Sequence, residues 1–287
     1  LTRDIQYPSA DPAAIPTLLA FEVAAATATC ALDGTGADTL FGVMPARHQR
    51  LAIQYGTLLP RALRRVAAKG MEMVPGLRGY TPLLDFDDPE EILIRWRGWK
   101  RGELERLCGG RVSLAHTRFY QLFRTFPRNA HLDRYSALLG NLPDDRIHQA
   151  AELTGMDVRF PYVDREVRRW VESLDVDLRY QPDKPKRVLR DVLARHVPPR
   201  LWDFPKHGFN FPFLQLMTAD DCSLVRTYLA PEVARSWEMF DPEEVEDARR
   251  ALFKADRRSA FSTASPAFRT WALTVLFAWL ENHYRHL

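Results

Sequence analysis

The sequence has little cysteine, no long apolar run and no marked excess of either charge. Its three cysteines, Cys30, Cys108 and Cys222, lie far apart and form neither a disulfide framework nor a CxxC zinc pattern. We therefore expect a reducing, cytoplasmic environment. The longest apolar run, residues 271–280, is too short to span a bilayer, and no signal-peptide pattern opens the chain, so we expect no membrane partner.

Basic and acidic residues are nearly balanced. The chain has 40 lysines and arginines and 37 acidic residues, a formal charge of +3, and the two signs are interspersed along it, as in residues 165–169. A nucleic-acid-binding protein usually shows a basic stripe or tail, so we expect no nucleic-acid partner. With 46% hydrophobic and 27% charged residues, the composition is that of a folded protein, and we treat residues 1–287 as one domain.

One strand and several helices are predicted. Residues 8–16 are rich in proline and alanine and indicate an extended lead-in, followed by a helix over about 17–26. Residues 27–32 are small, β-prone and apolar, which favours a buried parallel strand. The rest of the chain is predicted to be mainly helical.

Downstream helices are predicted from their polar faces and their first residues. Residues 46–68 form an amphipathic pattern whose outer face is rich in arginine, namely Arg61, Arg64 and Arg65. Further helices are expected to open at Asp88, at Pro143 and at Ser265, where capping residues or proline precede helical patterns. The Trp and Phe residues of the last helix are interpreted as core packing.

A loop with two glycines follows the predicted strand directly. Residues 33–38 are Asp-Gly-Thr-Gly-Ala-Asp, and Gly34 and Gly36 permit backbone angles and a close approach that side chains would prevent. Backbone amides in such a loop can face an anion, and Asp38 can cap the next helix or hold a divalent cation. Taken alone, the pattern leaves two interpretations open, an ordinary turn with a helix cap and a phosphate-binding loop.

The longer segment over residues 33–42, Asp-Gly-Thr-Gly-Ala-Asp-Thr-Leu-Phe-Gly, resembles a family signature. It is similar to the Ser-Gly-Glu-Gly-Ala-Asp-Glu-Leu-Phe-Gly segment of class B asparagine synthetases and their relatives, the β-lactam synthetases and lasso-peptide macrocyclases. Upstream, Asp11, Pro12 and Pro16 lie where that family has a similar proline-rich lead-in and helix. Two further segments match in the expected order.

The second segment, residues 155–164, is similar to the family's Glu-x-Arg-x-Pro-Phe-Leu-Asp. Asp145-Arg146 precedes it where the family has Asp-Arg. Arg159 lies between Asp157 and Asp164, which predicts an ion-paired clamp that holds a loop. We interpret this segment as support for the fold rather than for the chemistry.

The third segment has three parts, residues 186–190, 196–200 and 206–212. They resemble the family's Lys-x-x-Leu-Arg helix, its Leu-Pro corner and its Lys-x-Gly-Phe-x-x-Pro loop. Lys206 lies in a loop bounded by proline and glycine rather than on a helix face, so we interpret it as functional. Lys186 is the second basic candidate.

The resemblance implies a fold and a reaction. The parent fold is an α/β synthetase domain of the adenine nucleotide α-hydrolase type, of which this chain would hold a mostly α-helical part with few strands. In the family, a carboxylate attacks the α-phosphorus of ATP, and an amine then displaces AMP from the acyl-adenylate to form an amide. The resemblance thus implies ATP and Mg²⁺ as cofactors, and a carboxylate together with an amine or ammonia donor as substrates.

The same resemblance assigns roles to individual residues. Asp38 is expected to bind Mg²⁺, Lys186 and Lys206 to contact pyrophosphate, and Lys206 also to stabilise the oxyanion of the amide-forming step. The residues expected to line the adenylate pocket are Asp33, Gly34, Thr35 and Gly36.

Three substitutions depart from the family pattern. Thr35 and Thr39 replace the two glutamates of the signature, and Val43 replaces a glycine. Threonine cannot act as a general base near neutral pH, so the base is not identified. The departure at Thr35 leaves open a peptide- or β-lactam-cyclising synthetase, and the departures together leave open a non-catalytic scaffold.

Two parts of the family pattern do not occur in these 287 residues. One is the Ser-Gly-Gly-x-Asp-Ser loop that binds pyrophosphate and supplies a second magnesium carboxylate, and the other is the glutaminase domain with its leading cysteine. The sequence begins at Leu1 rather than at methionine. We therefore expect an N-terminally incomplete synthetase domain, inactive alone, which a preceding segment or a separate chain carrying the pyrophosphate loop would complete.

Overall fold

Helices make up most of the part of the chain that the structure, a computed structural model, describes. That part comprises residues 5, 7–41, 45–87, 89–93, 99, 101–113, 121, 124–127, 146–181, 184–204, 212–254 and 266–285. The α-helices are α1 (Ala14–Ala25), α2 (Ala37–Phe41), α3 (Arg47–Tyr55), α4 (Arg61–Glu72), α5 (Arg101–Leu107), α6 (Arg146–Thr154), α7 (Arg165–Glu172), α8 (Val176–Arg179), α9 (Arg187–Ala194), α10 (Phe213–Thr218), α11 (Ser223–Tyr228), α12 (Pro231–Ser236), α13 (Pro242–Lys254) and α14 (Pro266–Tyr284). The strands are β1 (Cys30–Leu32) and β2 (Asp157–Arg159). The prediction of a mostly helical chain with few strands is confirmed.

The two strands pair in parallel, with Cys30 opposite Asp157 and Leu32 opposite Arg159. The parallel strand predicted over residues 27–32 is confirmed for residues 30–32 only. The prediction that it is buried is wrong, since Leu32 is 75% exposed. Three-residue strands in a two-stranded sheet leave their flanks open whatever their composition. The sequence pattern gave no sign of β2, because two of its three residues are charged.

The main hydrophobic core forms around α14. Phe268 and Phe277 of α14 are fully buried in it, together with residues of α10, α11, α12 and α13. The indole N–H of Trp271 donates to the carbonyl of Ala10 at 2.9 Å. Core packing is therefore confirmed for the Phe and Trp residues of this helix, and two of its tryptophans, Trp271 and Trp279, also hold the N-terminal segment.

Helix α1 begins three residues before the predicted position and packs against α6. Arg146, the first residue of α6, forms an ion pair with Asp11. The outer side of α1 remains open, since Leu19 and Val23 are exposed. This open side lies on the helix that leads into β1.

The segment predicted as one helix over residues 46–68 is divided. Helix α3 ends at Tyr55, a 3₁₀ turn follows over Gly56–Leu58, and α4 begins after Pro60. Proline has no amide hydrogen to donate and is favoured only at the start of a helix, so the chain restarts there.

The expected arginine-rich outer face of this segment is wrong for Arg64, which is only 5% exposed. Its guanidinium donates to the carbonyls of Leu59 at 3.2 Å, Leu84 at 3.2 Å and Phe86 at 2.9 Å. It also lies 3.8 Å from the centre of the Phe86 ring. Carbonyls inside a fold need donors, and a planar guanidinium can supply several at once.

Other predicted helix starts have mixed outcomes. The helix expected after Asp88 is a single 3₁₀ turn over Pro89–Ile92. Pro143 and Ser265 lie outside the described residues, although α6 and α14 follow them as expected. None of the helices in the described ranges is long and apolar enough to cross a membrane.

We predict that Arg64→Met lowers the free energy of unfolding by about 2–4 kcal/mol, because three carbonyls lose a charged donor. Arg65→Met is the matched control, since the Arg65 side chain is 52% exposed and reaches Asp87 only at 3.4 Å. It should change stability by no more than about 0.5 kcal/mol. Urea unfolding of both variants measures the difference, and equal losses would contradict the structural role given to Arg64.

Candidate functional site

The glycine loop is held by the Asp33 carboxylate, at the end of β1. Its Oδ1 accepts the backbone N–H of Thr35 at 2.8 Å. The carbonyl of Gly34 then accepts the N–H of Ala37 at 3.3 Å, which starts α2. The Asp33 side chain thus fixes the turn. As a result, the backbone N–H of Thr35 points to the Asp33 carboxylate.

Gly36 is the residue of this loop at which a side chain has no room. Its φ is +95°, and an added Cβ would lie 2.7 Å from Cγ1 of Val163 and 3.4 Å from Cβ of Tyr162. Both neighbours belong to the 3₁₀ turn Pro161–Val163. The first and second motif segments are therefore in direct contact.

The ion-paired clamp predicted around Arg159 is confirmed for one partner only. Arg159 Nη2 lies 2.7 Å from Oδ2 of Asp157. The Asp164 carboxylate instead caps α7, accepting the N–H groups of Glu166 at 2.8 Å and Val167 at 3.4 Å. The prediction that Asp164 pairs with Arg159 is wrong, because Asp164 occupies an N-cap position where helix amides need acceptors.

The third segment reaches the first through an ion pair. Lys186 Nζ lies 2.8 Å from Oδ1 of Asp38, with 35% of the lysine and 51% of the aspartate side chain exposed. Lys186 adopts a left-handed conformation, φ 58°, directly before α9. The structure thus brings together two of the predicted site residues across about 150 positions of sequence.

A small apolar cluster holds these elements in place. It joins α2, α7, α9 and the turn beside Gly36, so the positions of Asp38 and Lys186 rest on a shared core. Its members are Leu40, Phe41 and Val171, which are buried, with Tyr162, Val167, Val188 and Leu189 packed against them.

Arg179 is part of this region, although it was not among the residues predicted from the sequence. It is 6% exposed, and its Nε–H donates to the carbonyl of Leu40 in α2 at 3.4 Å. One arginine in a four-residue helix among many surface arginines carries no sequence signal of this contact. This hydrogen bond places the Arg179 guanidinium against α2, the helix that carries Asp38.

The charged groups near the loop fit magnesium only as part of a larger ligand set. The Asp38 carboxylate, which pairs with Lys186 and is 51% exposed, is open to a bound cation. The Asp33 carboxylate instead accepts the backbone N–H of Thr35. Across the described residues, no group of three or more His, Cys, Asp or Glu side chains is placed to hold a metal ion. A single carboxylate suits Mg²⁺ bound mainly through substrate phosphates and water.

Two predicted features lie outside the described residues, Lys206 with its loop and Val43. The role of Lys206 stays a prediction, and so does the effect of Val43 on the shape of the glycine loop.

Comparisons with known proteins agree with the motif matches. The family model of asparagine synthase matches residues 1–281. Proteins of Mycobacterium bovis and Mycobacterium tuberculosis that carry the name "putative asparagine synthetase (glutamine-hydrolyzing)" are 28% identical over 230 residues, which is 76% of this chain and 35% of each relative. The chain therefore spans about a third of the length of these curated relatives. No solved structure matches it.

We predict that Gly36→Ala lowers the free energy of unfolding by about 1–3 kcal/mol, because alanine is strained at positive φ and its Cβ would overlap Val163. Gly34→Ala is the control, since no described atom lies within 4 Å of an added Cβ there. It should be nearly neutral in the same denaturant titration. A larger loss for Gly34→Ala would show that the close approach at Gly36 is not what fixes the loop.

Proposed function

Because the chain belongs to the asparagine synthase family, we propose that it forms part of an ATP-dependent carboxylate-amine ligase. The observation that carries this proposal is the convergence of three separate motif segments at Gly36, Val163, Asp38 and Lys186. In the proposed reaction a substrate carboxylate oxygen attacks the α-phosphorus of ATP and pyrophosphate leaves. An amine or ammonia then attacks the acyl carbon, AMP leaves, and an amide remains.

The charge that develops on the leaving pyrophosphate sets the main electrostatic demand of this reaction. We propose that Lys186 and Lys206 supply fixed positive charge there, and that residues 33–36 line the adenylate. The position of Lys186 supports this role, because its ammonium lies beside the Asp38 carboxylate and the two side chains are 35% and 51% exposed. A ligand phosphate can therefore replace or join that contact without breaking a buried pair.

Asp38 is the residue we propose as the protein ligand of Mg²⁺, which when bound would neutralise charge on the phosphates. Its carboxylate is 51% exposed and already holds a cation, the Lys186 ammonium, at 2.8 Å. Asp38, through Mg²⁺, and Lys186, directly, would then bind the same polyphosphate from neighbouring positions.

This proposal assigns no residue as the general base that deprotonates the attacking amine. The hydroxyl of Thr35 cannot serve near neutral pH, and its amide is engaged by Asp33. The amine would then arrive deprotonated or meet a base supplied from elsewhere. A cyclising synthetase acting on a peptide or β-lactam precursor is the runner-up within the same chemistry.

We further propose that residues 1–287 are one incomplete synthetase domain of the α/β, adenine nucleotide α-hydrolase type. Parallel sheets are normally covered on both faces, whereas Leu32 of β1 and Val23 of α1 are each about three-quarters exposed. A preceding segment or a separate chain carrying the pyrophosphate loop would cover these surfaces. Activity of this chain would then require that addition.

A non-catalytic scaffold is the second candidate, and two observations favour it. The acidic group proposed to bind metal is already neutralised by Lys186, as a purely structural ion pair would be. Thr35 and Thr39 in place of the family's glutamates point the same way.

We predict that Lys186→Ala reduces the rate of pyrophosphate release by the intact protein about 100- to 1,000-fold, because it removes a fixed charge at the leaving group. Lys206→Ala should act similarly. Lys184→Ala is the matched control, being an exposed lysine two residues away, and it should change the rate less than about threefold. If Lys186→Ala and Lys206→Ala release pyrophosphate at the unchanged rate with candidate carboxylates, the proposed roles of the two lysines are wrong.

Calorimetry with ATP separates ligase from scaffold. We expect the intact protein to bind ATP more tightly with Mg²⁺ than without, and Asp38→Asn to lose at least about tenfold of that magnesium dependence. Asp191→Asn is the control, because that carboxylate pairs with Arg187 on the exposed side of α9. Binding that is absent, or independent of magnesium, would favour the scaffold.

A further inference from the structure

The outward side of α4 and its flanks carries a continuous apolar stripe. Its large side chains are open to solvent, with Leu63 60%, Val66 69% and Met73 82% exposed. Within α4 and its C-cap the stripe follows spacings of three, four and three residues, at Leu63, Val66, Gly70 and Met73. Leu59, before Pro60, and Leu77, in the turns after the helix, are also exposed but lie outside α4.

Helix α4 is amphipathic in the opposite sense to an ordinary surface helix. Its buried residues are Arg64 and Ala68, while the apolar stripe faces away from the protein. A surface helix normally turns its apolar side to the core, and contiguous exposed apolar surface of this kind marks an interaction site.

Gly70 lies in the middle of the stripe and has no role within the described fold. Glycine is a poor helix former, and yet no described atom outside the helix backbone lies within 4 Å of where its Cβ would be. A glycine on the open face of a helix lets another backbone approach closely. This feature points to a second helix packed against α4.

We propose that a second copy of this chain covers the stripe, with the two α4 helices antiparallel about a twofold axis. The alternation of four and three residues is the spacing of a two-helix seam. In this register Val66 faces Gly70 of the second copy and Leu63 faces Met73. The stripe is therefore complementary to itself, as a twofold interface requires, because at its centre the larger Val66 side chain of each copy packs against Gly70 of the other.

The charges of α4 favour a second copy over an acidic partner or an anionic membrane. Arg64 is buried, and Arg61 and Arg65, whose side chains are about half exposed, both pair with Asp87. Of the described charged residues in α4, Lys69 is the one that flanks the stripe. Self-association therefore brings little like charge together, and an acidic ligand would find few cations to bind.

The length of the stripe sets the expected strength of association. Helix α4 has 12 residues, so it is about 18 Å long and forms a small contact. Interfaces at the low end of the specific range bind weakly, so we expect a monomer-dimer equilibrium with a dissociation constant on the order of 1–100 µM.

Sedimentation equilibrium over about 1–300 µM protein tests the proposal against the expected dissociation constant. We expect a monomer-dimer equilibrium that Leu63→Glu weakens at least about tenfold, because a charge would be placed in the apolar seam. Leu201→Glu is the matched control, since Leu201 is 61% exposed and lies on a different element. The control should leave the equilibrium unchanged.

Gly70→Leu gives a readout that misfolding would not produce. Leucine improves the helix, and no described atom outside the helix backbone lies within 4 Å of its Cβ position, so thermal stability of the monomer should be kept or raised, whereas dimerisation should weaken at least about tenfold. A protein that stays monomeric at every concentration would overturn the proposal. So would equal weakening by Leu201→Glu, or binding to phosphatidylcholine-phosphatidylserine vesicles that Leu63→Glu abolishes in a monomeric protein.

Discussion

The close approach of Gly36 to Val163 is the contact on which the arrangement of this region depends. A residue with a side chain at position 36 would hold the loop away from the turn Pro161–Val163. Because the loop can lie against that turn, Phe41 of α2 packs into the small apolar cluster. Residues of α9 pack against the same cluster. Lys186, at the start of α9, then reaches Asp38.

The ion pair between Asp38 and Lys186 depends on that packing rather than causing it. Both side chains are substantially exposed, and ion pairs of this kind contribute only about 0–1 kcal/mol to stability. A weak pair held in place by a core, and open to solvent, is free to exchange its partners for a ligand's charges. This exchange is the physical basis of the proposal that polyphosphate and magnesium bind there.

Sequence patterns predicted which segments matter but not how they are joined. The glycine loop and the parallel strand before it could be found from local residue types, whereas Lys186 could be found from the resemblance of residues 186–190 to the family's Lys-x-x-Leu-Arg segment. The partner strand β2, the inward direction of Arg64 and the contact of Arg179 with α2 could not be found. Each depends on carbonyls or strands that folding brings from about 20 to 140 positions away, and residue type alone does not specify them.

Isotope transfer tests the central claim most directly. The intact protein would be incubated with ATP and a candidate carboxylate labelled with ¹⁸O in both oxygens, and the nucleotide products analysed by mass spectrometry. If the carboxylate attacks the α-phosphorus, one labelled oxygen remains on the phosphorus when the amine displaces AMP, so the account predicts singly labelled AMP. Label in inorganic phosphate with formation of ADP would contradict it, as would turnover that yields unlabelled AMP.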